Sequence, residues 1–211
     1  MPKASLQDQL KVAPVVPLVQ SEDPETAVKI ARALCDGGLK VIEVVLRTDA
    51  ALDCLSAIAE KLPDAIVGAG TVLDEAQADQ SIARGASFIV SPGLNPAVVT
   101  LCQEKKIDIF PGVVTPSEVQ AARNLGLRAV KFFPASLSGG APMLKALGSV
   151  FREMLFMPTG GVSAANLRDF LDIPSVIACG GSWLTPKAEI EAGNFDAITA
   201  LAKEAVDIAR A

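Results

Sequence analysis

A single lysine lies in the middle of an apolar segment, AVKFFP at residues 129–134, and this placement is typical of a reactive amine. The segment reads as a short buried strand, and it contains no acid that could neutralise Lys131. Burial disfavours the charged ammonium form, so Lys131 must pair with an acid across space, reach water or lose its proton. Loss of the proton would give an amine nucleophile, which attacks carbonyl carbon atoms.

A carboxylate occupies a comparable position in a second apolar segment, VIEVV at residues 41–45. Side chains alternate between the two faces of a strand, which places Glu43, Val45 and Arg47 on one face. A buried ion pair of Glu43 with Arg47 or Lys131 that serves stability alone is the simpler interpretation. Such pairs contribute weakly to stability, however, because desolvation offsets their attraction. Two ionisable groups, each alone in an apolar strand, therefore favour a catalytic role.

Possible anion-binding groups follow other apolar segments. Arg47 has the forked, permanently charged side chain that holds carboxylates, although an arginine at a strand end can also be an ordinary surface residue. Glycine pairs at 160–161 and 180–181 follow the last two predicted strands, and the first precedes a predicted helix capped by Ser163. Backbone N–H groups of such loops and helix starts close on phosphate, whereas a single glycine pair can also be a tight turn.

Composition narrows the chemistry. The chain has 211 residues, a net charge of −5 and no histidine, so the commonest general base and transition-metal ligand is missing. Neither the charge nor the short basic stretch at 105–106 suits a nucleic-acid partner. The groups that remain available for catalysis are carboxylates, lysine, hydroxyls, thiols and the backbone. We therefore expect no metal and no cofactor.

The cysteines and the chain start favour a cytoplasmic location. The four cysteines, at 35, 54, 102 and 179, form no CxxC motif, and we expect them to be buried and reduced. Residues 1–12 carry charges and lack the apolar core of a signal peptide. No apolar run reaches the length of a membrane span, so we expect no membrane partner.

The elements that must position these groups are eight apolar runs separated by helical patterns. The predicted strands span 14–19, 41–46, 65–70, 87–90, 107–110, 129–134, 154–157 and 176–179. Uniformly apolar strands are covered on both faces, which indicates a parallel sheet. Eight such units predict an α/β fold, a single (β/α)8 TIM barrel over residues 1–211 with a short N-terminal helix at 1–11. A doubly wound sheet is the alternative, but residues 17–23 lack the glycine-rich loop it would need.

In such a barrel the carboxyl ends of the strands form the site, and the groups collected there suit one reaction. A neutral Lys131 would attack the ketone of an α-keto acid and form an imine, which stabilises the carbanion left by carbon–carbon cleavage. Glu43 would move the protons, and Arg47 would hold the carboxylate of the keto acid. A phosphate on the glycine loops would supply remote binding energy.

The sequence resembles the 2-keto-3-deoxy-6-phosphogluconate (KDPG) aldolase / 4-hydroxy-2-oxoglutarate (KHG) aldolase family. Six blocks carry the resemblance, run in family order and span nearly the whole chain. They are EVVLRT at 43–48, VGAGTV at 67–72, VSPG at 90–93, VKFFPA at 130–135, PTGGVS at 158–163 and GGSW at 180–183. The resemblance implies a class I aldolase that yields pyruvate and glyceraldehyde 3-phosphate, with Lys131 as the Schiff-base lysine and Glu43 as the acid and base.

The resemblance also implies the remaining site residues. Those shaping the pyruvate pocket would be Arg47, Thr71, Pro92 and Phe133. Those lining the polar and phosphate end would be Thr159, Gly160, Gly161, Gly181 and Ser182. Taken alone, the Thr71 hydroxyl could equally cap the next helix. The family implies a cytoplasmic homotrimer of the Entner–Doudoroff pathway that needs no metal, acting on a phosphorylated keto acid.

One position departs from the family pattern, since Val45 stands where a threonine is common two residues after the glutamate. A hydroxyl contact on that face of the strand is therefore lost. Alternative functions are cleavage of the galactonate epimer of the substrate, cleavage of unphosphorylated 4-hydroxy-2-oxoglutarate, or a non-catalytic phosphosugar-binding barrel. The non-catalytic alternative would need the phosphate loops but neither Lys131 nor Glu43.

Overall fold

A computed structural model describes residues 6–211, in which parallel strands alternate with helices. The strands are β1 (Val15–Val19), β2 (Val41–Val45), β3 (Ile66–Gly70), β4 (Phe88–Val90), β5 (Asp108–Phe110), β6 (Gly112–Val113), β7 (Ala129–Phe132), β8 (Leu155–Pro158) and β9 (Cys179–Gly181). The helices are α1 (Leu6–Val12), α2 (Pro24–Asp36), α3 (Ala51–Lys61), α4 (Glu75–Ala83), α5 (Pro96–Lys105), α6 (Pro116–Asn124), α7 (Gly140–Val150), α8 (Leu167–Leu171), α9 (Lys187–Glu191) and α10 (Phe195–Arg210).

The strands form two parallel sheets. The larger, curled sheet has the order β5-β4-β3-β2-β1-β9, and the smaller has the order β6-β7-β8. Pro111 separates β5 from β6, because proline has no N–H to donate to a neighbouring strand. Two isolated bridges, Phe156 with Val176 and Thr159 with Gly180, link the β8 region to the chain around β9. The predicted α/β architecture with parallel strands is confirmed.

The strands bury both faces, as predicted from their apolar sequences, except at the exposed first residues of β5 and β8, Asp108 and Leu155. Ile42 and Val44 of β2 pack in the large cluster that includes the helices. Val41 faces the other way and packs in a smaller cluster with Leu6 and Leu10 of α1. Helix α1 therefore covers one side of the inner core. It confirms the predicted N-terminal helix for the described residues, and residues 1–5 of that prediction lie outside them.

Three predicted elements differ from the structure by more than two residues at one end or both. The helix predicted at 143–147 is longer, because α7 begins at Gly140 and ends at Val150. The helix predicted at 163–171 begins only at Leu167, and its N-cap is Asn166 rather than Ser163. The Ser163 N–H bonds Asn166 Oδ1 at 2.8 Å in the turn before it. The strand predicted at 176–179 is displaced to β9, where Cys179, Gly180 and Gly181 pair with β1.

All four cysteines are free thiols, and Cys54, Cys102 and Cys179 are buried as predicted, whereas Cys35 is only partly buried. Burial raises the pKa of Cys35 and of Cys102 to about 11, so both stay protonated near neutrality. Over residues 6–211, no helix combines the length and the apolar character needed to cross a bilayer.

The start of α6 offers a test of local stability. Thr115 and Glu118 form a capping box in which Glu118 Oε2 accepts from the N–H groups of Thr115 at 2.7 Å and Val114 at 2.9 Å. We expect Glu118→Ala to lower the free energy of unfolding by about 1 kcal/mol at pH 7. Glu104→Ala, an equal charge change on exposed α5, is the control for urea denaturation.

The effect of the Glu118 variant should depend on pH. The N–H groups of Thr115 and then Val114 hold the pKa of Glu118 below its ordinary value. A lowered folded-state pKa gives stability that is complete above the ordinary carboxyl pKa and is lost as pH falls through the folded value. The difference between wild type and variant should therefore shrink in acid. If the free energies of unfolding of wild type and variant differed equally at pH 7 and at pH 2, the ionised Glu118 carboxylate would not be what stabilises this cap.

Candidate active site

Lys131 and Glu43, predicted from separate segments, lie together in the protein interior. Lys131 Nζ is 3.6 Å from Glu43 Oε1, and their side chains are 4% and 0% exposed. Lys131 comes from β7 of the smaller sheet and Glu43 from β2 of the larger one. An amine and a carboxylate withdrawn from water at this separation can exchange a proton directly or through one water molecule.

The Glu43 carboxylate has no hydrogen-bond donor among the described residues, since both of its buried oxygens are unpartnered. Buried polar atoms are usually satisfied, so a carboxylate left in this state is typical of a functional group. Space for it comes from Gly70 on β3, where a methyl group would overlap Glu43 Oε1. The arrangement leaves both oxygens free to bind a substrate hydroxyl or a water molecule.

The aromatic ring of Phe133 lies beside the lysine. Lys131 Nζ lies 5.1 Å from the centroid of the Phe133 ring, within the range of a cation–π contact. The Cδ2–Cε2 edge of the ring approaches Gly160, where a β-carbon would be 3.4 Å from these two atoms. Gly160 has a positive φ of 95°, which glycine adopts without strain. The loop after β8 therefore packs closely against the wall of the lysine pocket.

Pro92 reaches the same region through the backbone. Its carbonyl group lies against Gly112, where a β-carbon would overlap that group. Gly112 of β6 is in register with Lys131 of β7. Glycine at 112 thus lets the loop after β4 approach the strand next to the lysine, and this places Pro92 near the predicted pocket.

Arg47 and Thr71 are joined by a hydrogen bond, in which Arg47 Nε donates to Thr71 Oγ1 at 3.2 Å. Thr71 has a φ of 62°, a left-handed conformation that is uncommon for a threonine. Strained backbone of this kind is found at functional sites, where the surrounding structure holds it. The hydroxyl of Thr71 thus fixes the guanidinium of Arg47, rather than capping α4, whose N-cap is Asp74.

An open cavity of about 560 Å³ lies next to this arginine. Its polar lining includes Arg47 and Ser182, two predicted ligands, together with Lys187. Val45, the departure from the family pattern, lines it as well. Lys131 and Glu43 are not among its lining residues. The reactive pair is therefore buried, whereas Arg47 faces an open cavity.

The predicted phosphate loops contact one another closely. Thr159 pairs with Gly180, where a side chain would overlap the Thr159 hydroxyl, and the Thr159 N–H bonds the Phe132 carbonyl at 3.0 Å. At Gly161 and Gly181, a β-carbon would overlap Ser136 and Trp183, respectively. Helices α8 and α9 have only five residues each. Helix α8 begins at Leu167 and therefore does not start directly after Gly161. Phosphate binding by the N–H groups of these loops stays a prediction.

Sequence reasoning missed Gly70, Thr185 and Lys187 as parts of this region. A glycine inside a strand signals close approach by another group, so the position of Gly70 was a usable signal. Thr185 and Lys187 follow β9 in a segment with ordinary helix-start composition, and nothing in their local pattern indicates a cavity. Their place becomes evident only when the chain around β9 pairs with β1.

A parallel α/β fold that holds a buried lysine amine against a buried carboxylate, which accepts no hydrogen bond from the described residues, is typical of enzymes that work through a lysine imine. The chain is more closely defined by comparison with known proteins. It belongs to the KDPG and KHG aldolase family, whose model matches residues 6–201.

Individual relatives agree over nearly the whole chain. The KHG/KDPG aldolase of Escherichia coli K12 is 45% identical over 208 residues, which cover 99% of this chain and 98% of that protein. The KDPG aldolase of Zymomonas mobilis ZM4, solved with 3-phosphoglycerate, has a TM-score of 0.88 at 43% identity and covers 93% of this chain and 92% of its own. The KDPG aldolase of Legionella pneumophila, solved with pyruvate captured as a covalent carbinolamine, has a TM-score of 0.90 at 37% identity. The match covers 95% of this chain and 98% of the Legionella chain.

Proposed function

We propose that this protein is a class I aldolase that cleaves 2-keto-3-deoxy-6-phosphogluconate into pyruvate and glyceraldehyde 3-phosphate. The observation that carries the proposal is the Lys131 amine, buried 3.6 Å from the Glu43 carboxylate, in a member of the KDPG and KHG aldolase family. The E. coli relative named KHG/KDPG aldolase favours a second substrate, 4-hydroxy-2-oxoglutarate, which would give pyruvate and glyoxylate.

The reaction begins at the ketone carbon of the substrate. Lys131 Nζ attacks C2, and the carbinolamine loses water to give an imine. Glu43 accepts the proton of the C4 hydroxyl, the C3–C4 bond breaks, and its electron pair moves to the imine nitrogen as an enamine. The aldehyde product leaves. The enamine is then protonated at C3, and water hydrolyses the imine to release pyruvate and the free lysine.

Binding groups at the two ends of the substrate position the bond that breaks. Arg47, held by Thr71, binds the keto-acid carboxylate, and Phe133 and Pro92 enclose the pyruvate portion. Thr159 lies at the polar end. The phosphate binds to loop N–H groups and a hydroxyl from Gly160, Gly161, Gly181 and Ser182. Remote binding of the phosphate supplies free energy that orients the reacting carbon atoms.

The scaffold for this site is a single (β/α)8 barrel that makes up one domain. The pairing of β5 with β4 and of β6 with β7, on the two sides of Pro111, supports continuity between the sheets. The bridges of Phe156 with Val176 and of Thr159 with Gly180 support closure on the other side. The protein acts as a cytoplasmic homotrimer in the Entner–Doudoroff pathway, as its family membership supports.

The test is the release of pyruvate from the two purified substrates, measured by a coupled lactate dehydrogenase assay. We expect cleavage of the phosphorylated substrate at kcat values of about 1–1,000 per second, the ordinary enzymatic range. Borohydride added with pyruvate should then inactivate the enzyme and label Lys131. Absence of both cleavage and label would overturn the proposal. Cleavage without the label would overturn the imine mechanism.

A further inference from the structure

We infer that Lys187 is a further phosphate ligand, which makes the enzyme prefer phosphorylated substrates. The inference rests on the proposed aldolase function and adds a cationic side chain to its phosphate site. Lys187 lines the same cavity of about 560 Å³ as Arg47, the proposed carboxylate ligand, and Ser182, the proposed phosphate ligand. A substrate that extends from Arg47 past Ser182 therefore places its terminal anion in a space bounded by the Lys187 side chain.

The segment that carries Lys187 is anchored to the strand beside the reactive carboxylate. Thr185 Oγ1 donates a hydrogen bond to the Leu18 carbonyl at 2.8 Å. Leu18 of β1 is in register with Glu43 of β2. Two residues after Thr185, the chain begins α9 with Lys187. The anchor thus holds the start of α9 over the mouth of the site.

The Lys187 ammonium group is available for an incoming anion. Among the described residues it forms an ion pair with Glu191, at 3.5 Å, and the two side chains are 88% and 65% exposed. Exposed pairs of this type contribute little stability, so a phosphate can displace the carboxylate. Glu191 and Glu22 also line the cavity, and their negative charge would repel a phosphate. Lys187 offsets that repulsion at the point where the anion enters.

The chemistry of the ligand follows from the charge it carries. A phosphate monoester has a charge of about −1.5 to −2 at pH 7 and three acceptor oxygens. Lysine binds such groups as a point charge, without the planar geometry that arginine imposes on carboxylates. Lys187 should therefore strengthen binding of phosphorylated substrates and leave pyruvate, which ends at the reacting carbon atoms, unaffected.

The test is Lys187→Ala, assayed at low ionic strength with the phosphorylated substrate. We expect KM to rise about fivefold with kcat within twofold of wild type, a loss typical of an exposed ion pair. The inhibition constant of inorganic phosphate should rise with KM, and both effects should shrink in 0.5 M salt. Glu191→Gln should change KM in the opposite direction. Lys145→Ala, an exposed lysine outside the cavity, is the matched control.

Pyruvate separates this inference from the proposed function. The pyruvate concentration for half-maximal inactivation by borohydride should be the same in Lys187→Ala and wild type. An unchanged KM for the phosphorylated substrate would overturn the role of Lys187. A loss of pyruvate affinity equal to the rise in KM would also overturn it, because the variant would then disturb the whole site. A wild-type enzyme without cleavage or label would overturn the proposed function itself.

Discussion

Replacing Lys131 with methionine should abolish cleavage, because the variant cannot form the imine that stabilises the departing electron pair. We expect kcat/KM to fall by at least about 10⁴-fold, to the background of the assay. Borohydride with radiolabelled pyruvate should label wild-type protein and leave Lys131→Met unlabelled. Lys145→Met, a change of the same type at an exposed position of α7, should retain both the label and the activity.

Folding must be separated from chemistry in this variant, since Lys131→Met leaves the Glu43 carboxylate buried without its cation. Removing one partner of a buried ion pair costs about 3–5 kcal/mol. The double variant Lys131→Met/Glu43→Gln removes both charges and should recover much of that stability in urea denaturation. It should remain inactive. Substantial cleavage by either variant would refute Lys131 as the nucleophile.

The buried pair could be predicted from sequence because each member breaks a local pattern. Lys131 and Glu43 are single ionisable residues in apolar strands, and strand periodicity alone places Glu43 and Arg47 on one face. The two strands belong to different sheets, and no local signal specifies their contact. Their predicted proximity followed from the rule that the carboxyl ends of parallel strands gather the site residues.

The elements that sequence reasoning misplaced depend on pairing between distant segments. The last strand was predicted at 176–179 because those residues are apolar. The structure instead pairs Cys179–Gly181 with β1, and glycines carry no strand signal of their own. Composition alone predicts Ser163 as a helix cap. The N-cap of α8 is instead Asn166, three residues later, and residue preferences do not decide between asparagine and serine at neighbouring positions.

The residues that line the cavity could not be predicted from local sequence either. Thr185 contributes through one hydrogen bond to Leu18, 167 residues earlier in the chain, and Lys187 owes its position to that anchor. The role of Gly70 likewise depends on a side chain from another strand. The reactive groups could be predicted from the sequence, whereas the residues that shape the space around them became evident only from the fold.

Replacing Glu43 with glutamine should slow cleavage by a factor of about 100 or more, because glutamine keeps the shape of the side chain but cannot accept and return a proton. The imine-forming amine remains in this variant. Borohydride and pyruvate should therefore still label Lys131, at a reduced rate. The expected pattern differs from that of Lys131→Met, in which the label is lost altogether.

Proton exchange on bound pyruvate isolates the step assigned to Glu43. In D₂O, formation of the enamine and its protonation at C3 exchange the methyl protons of pyruvate for deuterium, which proton NMR follows without the aldehyde product. Glu43→Gln should slow this exchange by a factor similar to its effect on cleavage, whereas Glu104→Gln, an exposed carboxylate on α5, should leave it unchanged. Neither Glu43 oxygen accepts a hydrogen bond from the described residues. In the variant, therefore, no protein group already hydrogen-bonded at this position can replace Glu43 in the proton transfer. An exchange rate near that of wild type would assign the proton transfer to water or to the substrate itself and would leave Glu43 with the ion pair alone.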